Sequence, residues 1–412
     1  MDTTGSLTGK RYSMFQIRPS GFGPGKKNSF RNMIRVVADD RIPFFKGALE
    51  GVARVSYLPG SRITRSDLKE SDCLITRTRT RCDRALLENT KIKLIASATI
   101  GFDHIDTEYC RSAGITWTNA PGCNASSVQQ YVVSTLLYLG DRMGFELKER
   151  TLGVVGVGHV GSLVWKAAEA LGMKVLLNDP PRQRAEKGDR FVELDRVLDQ
   201  ADIITLHVPL NRGGSDNTLR MVDSGFMGRI RKGSVLINTS RGEVIHEPSL
   251  MEGIRSGRLS GAVMDVFDHE PDIDRDLLEA ITLGTPHIAG YSLDGKAGGT
   301  TMSVRAVSRF FHLGLDEWLP AHIPSPAQQE IMADGPEGSI GEQLWEVYRN
   351  TYDVSADDRR LREDPEAFER LRGNYPPRRE PPAYSVRLFR EIRELREVLE
   401  KLGFSVLADH GI

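Results

Sequence analysis

The sequence predicts an α/β protein built on doubly wound parallel sheets, and three observations lead to this prediction. Short apolar runs alternate with helix-like segments from residue 34 to residue 313, as in strands whose two faces are covered by helices. A glycine-rich turn joins one such strand to a helix in the middle of the chain. Beyond residue 315, several prolines and a high density of charge mark a change of character. We therefore expect two α/β domains followed by a smaller third one.

Length and composition narrow the classes of protein to consider. The chain has 412 residues and a net charge of −1, which is enough for two or three domains and gives no basic excess for nucleic acid. No apolar run reaches the roughly 20 residues that span a membrane. The four cysteines form no C-x-x-C pair, so we expect neither a metal site nor disulfides, and a cytoplasmic location.

The first part of the chain alternates strand and helix after a polar start. Residues 1–32, with the single acid Asp2, predict a disordered basic arm, and Met33 is a candidate initiator. Strands are predicted at Ile34–Ala38, Ala53–Leu58, Cys73–Thr76, Lys93–Ala98 and Ile115–Thr118, and helices at Pro43–Gly51, Asp83–Asn89 and Asp106–Ala113. This unit carries no dinucleotide fingerprint.

The glycine-rich turn has the fingerprint of a dinucleotide-binding Rossmann unit. The apolar run Leu152–Val157 leads into Gly156, Gly158 and Gly161 in the pattern G-x-G-x-x-G, and a helical segment and the strand Lys174–Leu177 follow. The first glycine permits a tight turn, the second lets the backbone approach a pyrophosphate, and the third lets helix and strand pack closely. Asp179, at the tip of the second strand, can accept both ribose hydroxyls, which favours NAD over NADP.

The alternation resumes beyond this unit and completes a six-stranded sheet. Further strands are predicted at Asp202–Val208, Ser234–Asn238, Ser260–Val266 and just before His287, with helices near Glu193–Asp199 and at Glu247–Ser256. Long helices at Asn124–Arg142 and Lys296–Leu313 flank it, the first bridging two domains and the second returning to the first domain. A last helix is predicted at Ser385–Leu402, with an apolar stripe of Leu388, Phe389, Ile392, Leu395, Leu399 and Leu402. This stripe either packs on its own domain or makes a dimer contact.

Three polar residues lie at or just beyond the predicted strand ends, where a parallel sheet binds its ligands. They are Arg241, Glu270 and His287. A neutral histidine can accept a hydroxyl proton as hydride leaves the same carbon, and a neighbouring carboxylate favours its protonated form. Arginine can hold a substrate carboxylate with two hydrogen bonds. Each residue alone has an ordinary structural explanation, but together, behind an NAD fingerprint, they predict oxidation of an alcohol.

This combination resembles the D-isomer-specific 2-hydroxyacid dehydrogenase family. Several stretches are similar to one branch of it, which oxidises 4-phospho-D-erythronate to (R)-3-hydroxy-2-oxo-4-phosphooxybutanoate with NAD in pyridoxal 5′-phosphate synthesis. Those stretches are residues 98–106, 120–125, 154–162, 176–182 and 285–301, with 352–363, 368–375 and 401–407 in the C-terminal third. The resemblance covers residues 33 to 412.

The resemblance implies a division into domains. A flavodoxin-like substrate domain would comprise residues 33–123 and 288–314, and an NAD-binding Rossmann domain residues 124–287. Residues 315–412 would form a small α+β C-terminal domain through which the protein makes a homodimer. The small-molecule partner would be a phosphorylated 2-hydroxy acid, with no membrane or nucleic-acid partner.

The resemblance also assigns residues to the site. Arg241 would bind the substrate carboxylate, His287 would be the acid and base, and Glu270 its partner. The cofactor would be held by Gly156, Gly158, His159, Val160, Gly161, Asp179, His207, Val208, Pro209, Thr239, Ser240, Arg241, Asp265 and Gly290. Substrate contacts would come from Thr78, Thr99 and Tyr291.

Two departures from the family pattern affect these assignments. The family usually has His-Thr-Pro where this chain has His207-Val208-Pro209, which removes a hydroxyl contact but leaves a backbone one. The loop Asn211–Thr218 lacks the family's Pro-Tyr-Lys, which leaves its local structure open.

The phosphate of such a substrate requires cations. Thr76–Thr80 reads TRTRT after a strand, and continued alternation would send Arg77 and Arg79 to the same face. Arg77 is the first candidate and Lys296 another, with a solvated strand end as the ordinary alternative.

Two other functions remain open. Another D-2-hydroxyacid dehydrogenase, such as 3-phosphoglycerate dehydrogenase, would act on a substrate one hydroxymethylene shorter, and only the C-terminal third argues against it. An NAD-sensing corepressor could keep the same three residues, but the chain has no obvious peptide-docking or nucleic-acid-binding addition.

Overall fold

The computed structural model describes residues 33–333, 338–388 and 392–407. The predicted basic arm at residues 1–32 therefore lies outside the described residues. The described residues from Ile34 onward form one compact unit that contains three parallel sheets. Within the described ranges, no helix has the length and apolar character that crossing a membrane requires.

The first sheet has five parallel strands in the order β2-β1-β3-β4-β5, which is the flavodoxin-like order and confirms the predicted class. Its elements are β1 (Ile34–Asp39), β2 (Ala53–Leu58), α1 (Arg65–Leu68), β3 (Cys73–Thr76), α2 (Arg84–Leu87), β4 (Leu94–Ser97), α3 (Thr107–Ser112) and β5 (Thr116–Thr118). The strands match their predicted positions to within one or two residues.

The helix predicted at Pro43–Gly51 is wrong, because this segment is a succession of turns. Phe44 and Gly47 have φ angles of 60° and 89°, in the left-handed region that interrupts a helix. These turns still bury the side chains of Phe45 and Leu49, so the apolar spacing that suggested a helix serves the core in another backbone conformation.

The second sheet has six parallel strands in the order β7-β6-β8-β9-β10-β11, the number predicted. Its elements, with the long helix before them, are α4 (Ala125–Met143), β6 (Thr151–Val155), α5 (His159–Ala170), β7 (Lys174–Asn178), α6 (Pro180–Glu186), α7 (Leu194–Gln200), β8 (Ile203–Leu206), α8 (Ser224–Arg229), β9 (Ser234–Asn238), α9 (Glu247–Arg255), β10 (Leu259–Met264), α10 (Arg275–Ala280) and β11 (Leu283–Gly284). A single bridge from Phe191 to Leu177 extends the sheet beyond β7. The chain reverses direction across the sheet between β6 and β8, the place where Rossmann folds bind dinucleotides.

Helix α11 (Leu293–Phe311) returns the chain to the first sheet. Its Val304 and Val307 are fully buried among residues of β1, β3 and β4. The segment before it, which carries His287, therefore lies between the two large sheets.

The C-terminal region forms a third sheet whose three strands, β12-β13-β14, are all parallel. Its elements are β12 (Glu330–Ala333), α12 (Ile340–Thr351), α13 (Val354–Glu363), α14 (Phe368–Gly373), β13 (Ser385–Leu388), α15 (Arg393–Lys401) and β14 (Ser405–Leu407). Buried residues of α12 and α15 share one apolar core with α4 and β6 of the second sheet.

The helix predicted at Ser385–Leu402 is correct only in its second half. Ser385–Leu388 is a strand, in which Val386 and Leu388 are buried alternately with partly exposed neighbours, the period of a strand. Phe389 lies outside the described residues. Leu395 and Leu399 on α15 and Leu402 just after it are buried in the chain's own core, which supports packing within the domain for this part of the stripe.

Candidate active site

The three fingerprint glycines occupy positions with the predicted properties. Gly156 follows β6 with a φ of 86°, and a Cβ there would lie 2.6 Å from the carbonyl oxygen of His207. A Cβ on Gly161 would lie 2.0 Å from the carbonyl oxygen of Gly156, so the α5 helix packs directly on the turn. Gly158 caps α5 and faces open space, which leaves room for a pyrophosphate above the helix N-terminus.

Asp179 lies at the end of β7, at the same sheet edge as the glycine turn. Its Oδ2 accepts a hydrogen bond from the backbone N–H of Val157 at 2.8 Å. Its Oδ1 accepts from the N–H of Arg182 at 3.0 Å and so caps α6. The carboxylate is thus held beside the turn where a ribose would lie, and the residues present fit NAD.

His207, Val208 and Pro209 follow β8 across the same cleft. The imidazole nitrogens of His207 lie 3.0 Å from the Thr205 hydroxyl and 3.1 Å from the Thr239 hydroxyl. Burial lowers the pKa of His207 to about 3, so its ring is neutral. The Val208 side chain packs toward the apolar core and Gly156. The loop after it is held by the Thr218 hydroxyl, which accepts from the N–H of Asn211 at 2.8 Å and donates to the carbonyl of Pro209 at 2.5 Å.

Glu270 and His287 form a hydrogen-bonded pair, as the sequence pattern suggests. The Nδ1 atom of His287 lies 2.7 Å from Oε2 of Glu270, and Oε1 accepts from the N–H of Phe267 at 3.0 Å. Burial opposes ionisation of Glu270, but the hydrogen bond and charge of His287, the N–H of Phe267 and the charge of Arg372 outweigh it and lower the pKa of Glu270. The carboxylate therefore orients the imidazole and leaves Nε2 for a substrate.

Arg241 lies in the loop after β9, one strand away from the loop of Glu270. Its Nη2 is 3.9 Å from the carboxylate of Asp103, an exposed residue of the first domain. A Cβ on the next residue, Gly242, would lie 1.9 Å from the backbone of Phe267, so the two loops touch. Ser240 and the carbonyl of Arg241 are both held by the side chain of Asn238. Arg241 thus faces the first domain across the cleft.

Asp265 holds the residues on both sides of His287 in place. Its buried carboxylate accepts from the Thr285 hydroxyl at 2.7 Å and from the N–H groups of Ile288 and Ala289 at 2.8 and 2.9 Å. Burial raises the pKa of Asp265. Gly290, just beyond, packs against the side chain of Asn124 at the start of α4, where a Cβ would leave only 2.0 Å.

The substrate residues assigned by resemblance come from both domains. Thr99 follows β4, where its hydroxyl lies 2.9 Å from that of Ser97, and Thr78 is exposed in the turn after β3. The Tyr291 hydroxyl accepts from Nε of Arg372 at 3.0 Å.

The expectation that Arg77 and Arg79 share a face is wrong, because residues 77–80 turn instead of continuing the strand. Arg77 is partly buried and binds Asp39 with its Nε at 3.1 Å. Arg79 is mostly exposed and pairs with Glu369 of the C-terminal region.

Sequence reasoning missed a set of C-terminal side chains that hold the segment from β11 to the start of α11. Asp358 accepts from the N–H of Gly284 at 2.7 Å, and Arg378 donates to the carbonyl of Ala289 at 2.6 Å. Glu380 accepts from the Ser292 hydroxyl at 2.7 Å, and Arg372 reaches Tyr291. These partners are at least 70 residues apart in the chain, so local patterns carry no signal for them.

Comparison with known proteins identifies two domains. The model of the D-isomer specific 2-hydroxyacid dehydrogenase, NAD binding domain, matches residues 127–289. A domain of unknown function matches residues 323–403.

Proteins of similar sequence and structure agree with this match. An erythronate-4-phosphate dehydrogenase of Bacteroides fragilis (strain YCH46) is 49% identical over 354 residues, which are 86% of this chain and 99% of the relative. That of Pseudomonas putida (strain W619) is 40% identical and covers 90% and 100%. The crystal structure of a D-lactate dehydrogenase from Aquifex aeolicus, complexed with NAD and lactic acid, is 27% identical with a TM-score of 0.55. It covers 71% of this chain and 100% of its own.

Proposed function

Because the chain belongs to the erythronate-4-phosphate dehydrogenase family, within the D-isomer specific 2-hydroxyacid dehydrogenases, we propose that its cleft oxidises 4-phospho-D-erythronate through Arg241, Glu270 and His287. The reaction is an NAD-dependent oxidation of a CH–OH group, and it serves pyridoxal 5′-phosphate synthesis. The single observation that supports the residue assignment best is the 2.7 Å contact between His287 and Glu270 at the carboxyl ends of the sheet.

The protein residues supply binding and proton transfer. Arg241 holds the substrate carboxylate in two hydrogen bonds and draws charge toward the oxygen of C2. His287 accepts the C2 hydroxyl proton at Nε2, while Glu270 at Nδ1 keeps the ring oriented and offsets its new positive charge. NAD, when bound, accepts the hydride from C2.

The cofactor is held by the turn and loops around the β6–β8 switch point. Gly156, Gly158, His159, Val160 and Gly161 receive the pyrophosphate, and Asp179 receives the adenosine ribose. The nicotinamide side is bordered by the loops at residues 207–209 and 239–241, with Gly290 opposite. Asp265 contributes by fixing the backbone of that last segment, as its three hydrogen bonds support.

The remaining substrate contacts come from the first domain and the hinge. Thr78 and Thr99 face the substrate from one side and Tyr291 from the other, and Arg77 adds positive charge. We place the domain boundaries at residues 123, 287 and 314. Residues 33–123 and 288–314 then form the substrate domain, which closes on residues 124–287.

We also propose a cytoplasmic homodimer that forms through residues 315–412. The four cysteines are free thiols, which supports a reducing compartment. Sedimentation equilibrium of the full chain tests the dimer: a mass of twice 45.8 kDa supports it, and 45.8 kDa at micromolar concentration contradicts it.

A steady-state assay separates the proposed function from its alternatives. NADH formation is followed with a 2-oxo acid present as re-oxidant, comparing 4-phosphoerythronate with 3-phosphoglycerate. A higher kcat/KM for 4-phosphoerythronate is the expected result. A preference for 3-phosphoglycerate contradicts the substrate, and NAD binding without turnover of either compound favours a corepressor.

A further inference from the structure

Tyr291 is in contact with two cations that come from different parts of the chain. The Nζ atom of Lys296, on α11, is 5.1 Å from the centre of the Tyr291 ring. The Nε atom of Arg372, on α14 of the C-terminal region, donates to the Tyr291 hydroxyl at 3.0 Å. We propose that Lys296 and Arg372 form the subsite for the phosphate of the substrate, so that the C-terminal region supplies a specificity-determining residue. This inference rests on the proposed function.

Lys296 is a cation that forms no ion pair with the residues that the structure describes. It is partly buried, and no carboxylate of the described residues lies within ion-pair distance of its ammonium group. Burial lowers the pKa of Lys296, and the neighbouring charges of Arg378 and Arg77 lower it further. A cluster of like charges at a cleft attracts an anion, and a phosphate dianion would relieve their mutual repulsion.

Arg372 has N–H groups that donate no hydrogen bond to the described residues. Its Nη1 lies 3.9 Å from Glu270 and 4.0 Å from Glu369, which is beyond hydrogen-bond length. Only Nε donates a hydrogen bond among the residues that the structure describes. The side chain is 24% exposed. The planar fork of a guanidinium group matches the geometry of phosphate oxygens.

The two arginines of the TRTRT turn are less suited to this task. Arg77 neutralises Asp39, whose side chain is completely buried, and withdrawing it would leave an uncompensated buried charge. Arg79 pairs with Glu369 and is 59% exposed. Arg77 thus adds only its positive electrostatic potential, whereas Lys296 and Arg372 contact the phosphate directly.

Helix α14 is anchored beside the catalytic pair. Its Phe368 is fully buried and packs edge-on against Phe267, with ring centres 6.2 Å apart. The N–H of Phe267 donates to Glu270, so the helix that carries Arg372 packs on the loop that holds the catalytic carboxylate. A phosphate bound by Arg372 would therefore fix the far end of a substrate whose C2 faces His287.

The test compares full-length variants on two substrates that differ only in the phosphate. Lys296→Met and Arg372→Met are assayed with NAD and a re-oxidant, using 4-phosphoerythronate and erythronate. We expect the KM for 4-phosphoerythronate to rise about 10- to 100-fold in each variant, the effect of losing a charge-assisted hydrogen bond. The KM for 4-phosphoerythronate should rise at least tenfold more than the KM for erythronate, and Arg372→Lys should recover part of the loss. Arg370→Met is the matched control, because Arg370 lies on the same helix, is 67% exposed and pairs with Asp364.

Three results would overturn the proposal. If the wild type turns over 4-phosphoerythronate and the variants keep its KM, the subsite is elsewhere while the proposed function stands. If Arg372→Met lowers kcat equally for both substrates with KM unchanged, Arg372 acts through Glu270 and not on phosphate. If the wild type does not turn over 4-phosphoerythronate, the proposed function and this subsite both fail. Should Arg372→Met not fold, Lys296→Met and Arg372→Lys decide between these results.

Discussion

The contact between Glu270 and His287 determines which imidazole nitrogen of His287 is free to transfer a proton. Oε2 of Glu270 takes Nδ1, and the backbone of Phe267 holds Oε1, so the imidazole can rotate little. In the proposed mechanism, Nε2 is then the nitrogen that exchanges a proton with the substrate hydroxyl. Arg241, Glu270 and His287 could be proposed as site residues from the sequence because each follows a recognisable strand. Arg372 could not, because it reaches Glu270 from a helix about a hundred residues away in the chain.

Substitution of the proposed base tests this arrangement. His287→Ala should lower kcat by about 10²- to 10⁴-fold, the usual contribution of a general base. NAD affinity and the melting temperature should stay near wild-type values, because the lost contact lies at the substrate side of the cleft. His269→Ala is the control, since His269 is a nearby histidine that is 82% exposed. A large drop in melting temperature with kcat largely preserved would mean that His287 is structural.

His207 should make folding stability depend on pH. Its folded-state pKa of about 3 lies below the ordinary value of 6.5, so the unfolded chain binds the proton first as pH falls. The stabilisation is thus complete above pH 6.5 and is lost as pH falls toward 3, by at most about 1.4 kcal/mol per pH unit. Urea unfolding at several pH values should show a shallower slope in this window for His207→Gln. Equal slopes in both proteins would contradict the assignment.

The helices and strands that position the site could be predicted where the apolar residues follow a single period, either that of a strand or that of a helix. The buried strands β3, β6 and β9 and the long helices α4 and α11 have clear apolar patterns, and the structure confirms them. The segment Pro43–Gly51 has helical apolar spacing, but the left-handed φ of Phe44 overrides it. At Ser385–Leu388 a strand period of two was hidden in a longer stripe that also fits a helix. The pairing of this segment with β12 and β14 makes it a strand.

Two glycines of the fingerprint should respond differently to the same substitution. Gly158→Ala places a methyl group in open space, so the fold should survive while NAD affinity falls at least tenfold, because the methyl lies where the pyrophosphate approaches. Gly161→Ala drives a methyl into the backbone of Gly156 and should lower the melting temperature by several degrees. Calorimetry of binding and thermal melts measure both effects. Equal losses of stability in the two variants would contradict the separate roles.

At the scale of the whole molecule, the C-terminal region packs onto the segment that carries His287. Asp358, Arg372, Arg378 and Glu380 bind backbone or side chains from the end of β11 to the start of α11, on either side of His287. The sequence resembles a dimerisation domain there, and its structure shows that the region also completes the core of the second sheet through Tyr348 and Tyr352. These contacts of the C-terminal region could not be predicted from the sequence, because they join segments that are distant in the chain.

Removal of the C-terminal region should therefore destabilise the NAD-binding sheet. A chain that ends at residue 314 loses the partners of Gly284 and Ala289 and exposes the face of α4 that now packs on α12. We expect little cooperative unfolding by circular dichroism and at least a hundredfold loss of NAD affinity, since burial of large apolar side chains contributes several kcal/mol. A truncated chain that melts cooperatively and binds NAD as the full chain does would show that the two regions are independent.

The most direct test of the central claim follows the hydrogen on C2. The wild-type chain is incubated with 4-phosphoerythronate deuterated at C2 and with NAD, and the reduced coenzyme is analysed by mass spectrometry. In the proposed mechanism His287 removes only the hydroxyl proton, so the deuterium should be recovered on the coenzyme. Release of the deuterium into water would mean that C2 loses a proton and not a hydride, which contradicts the roles given to His287 and Arg241.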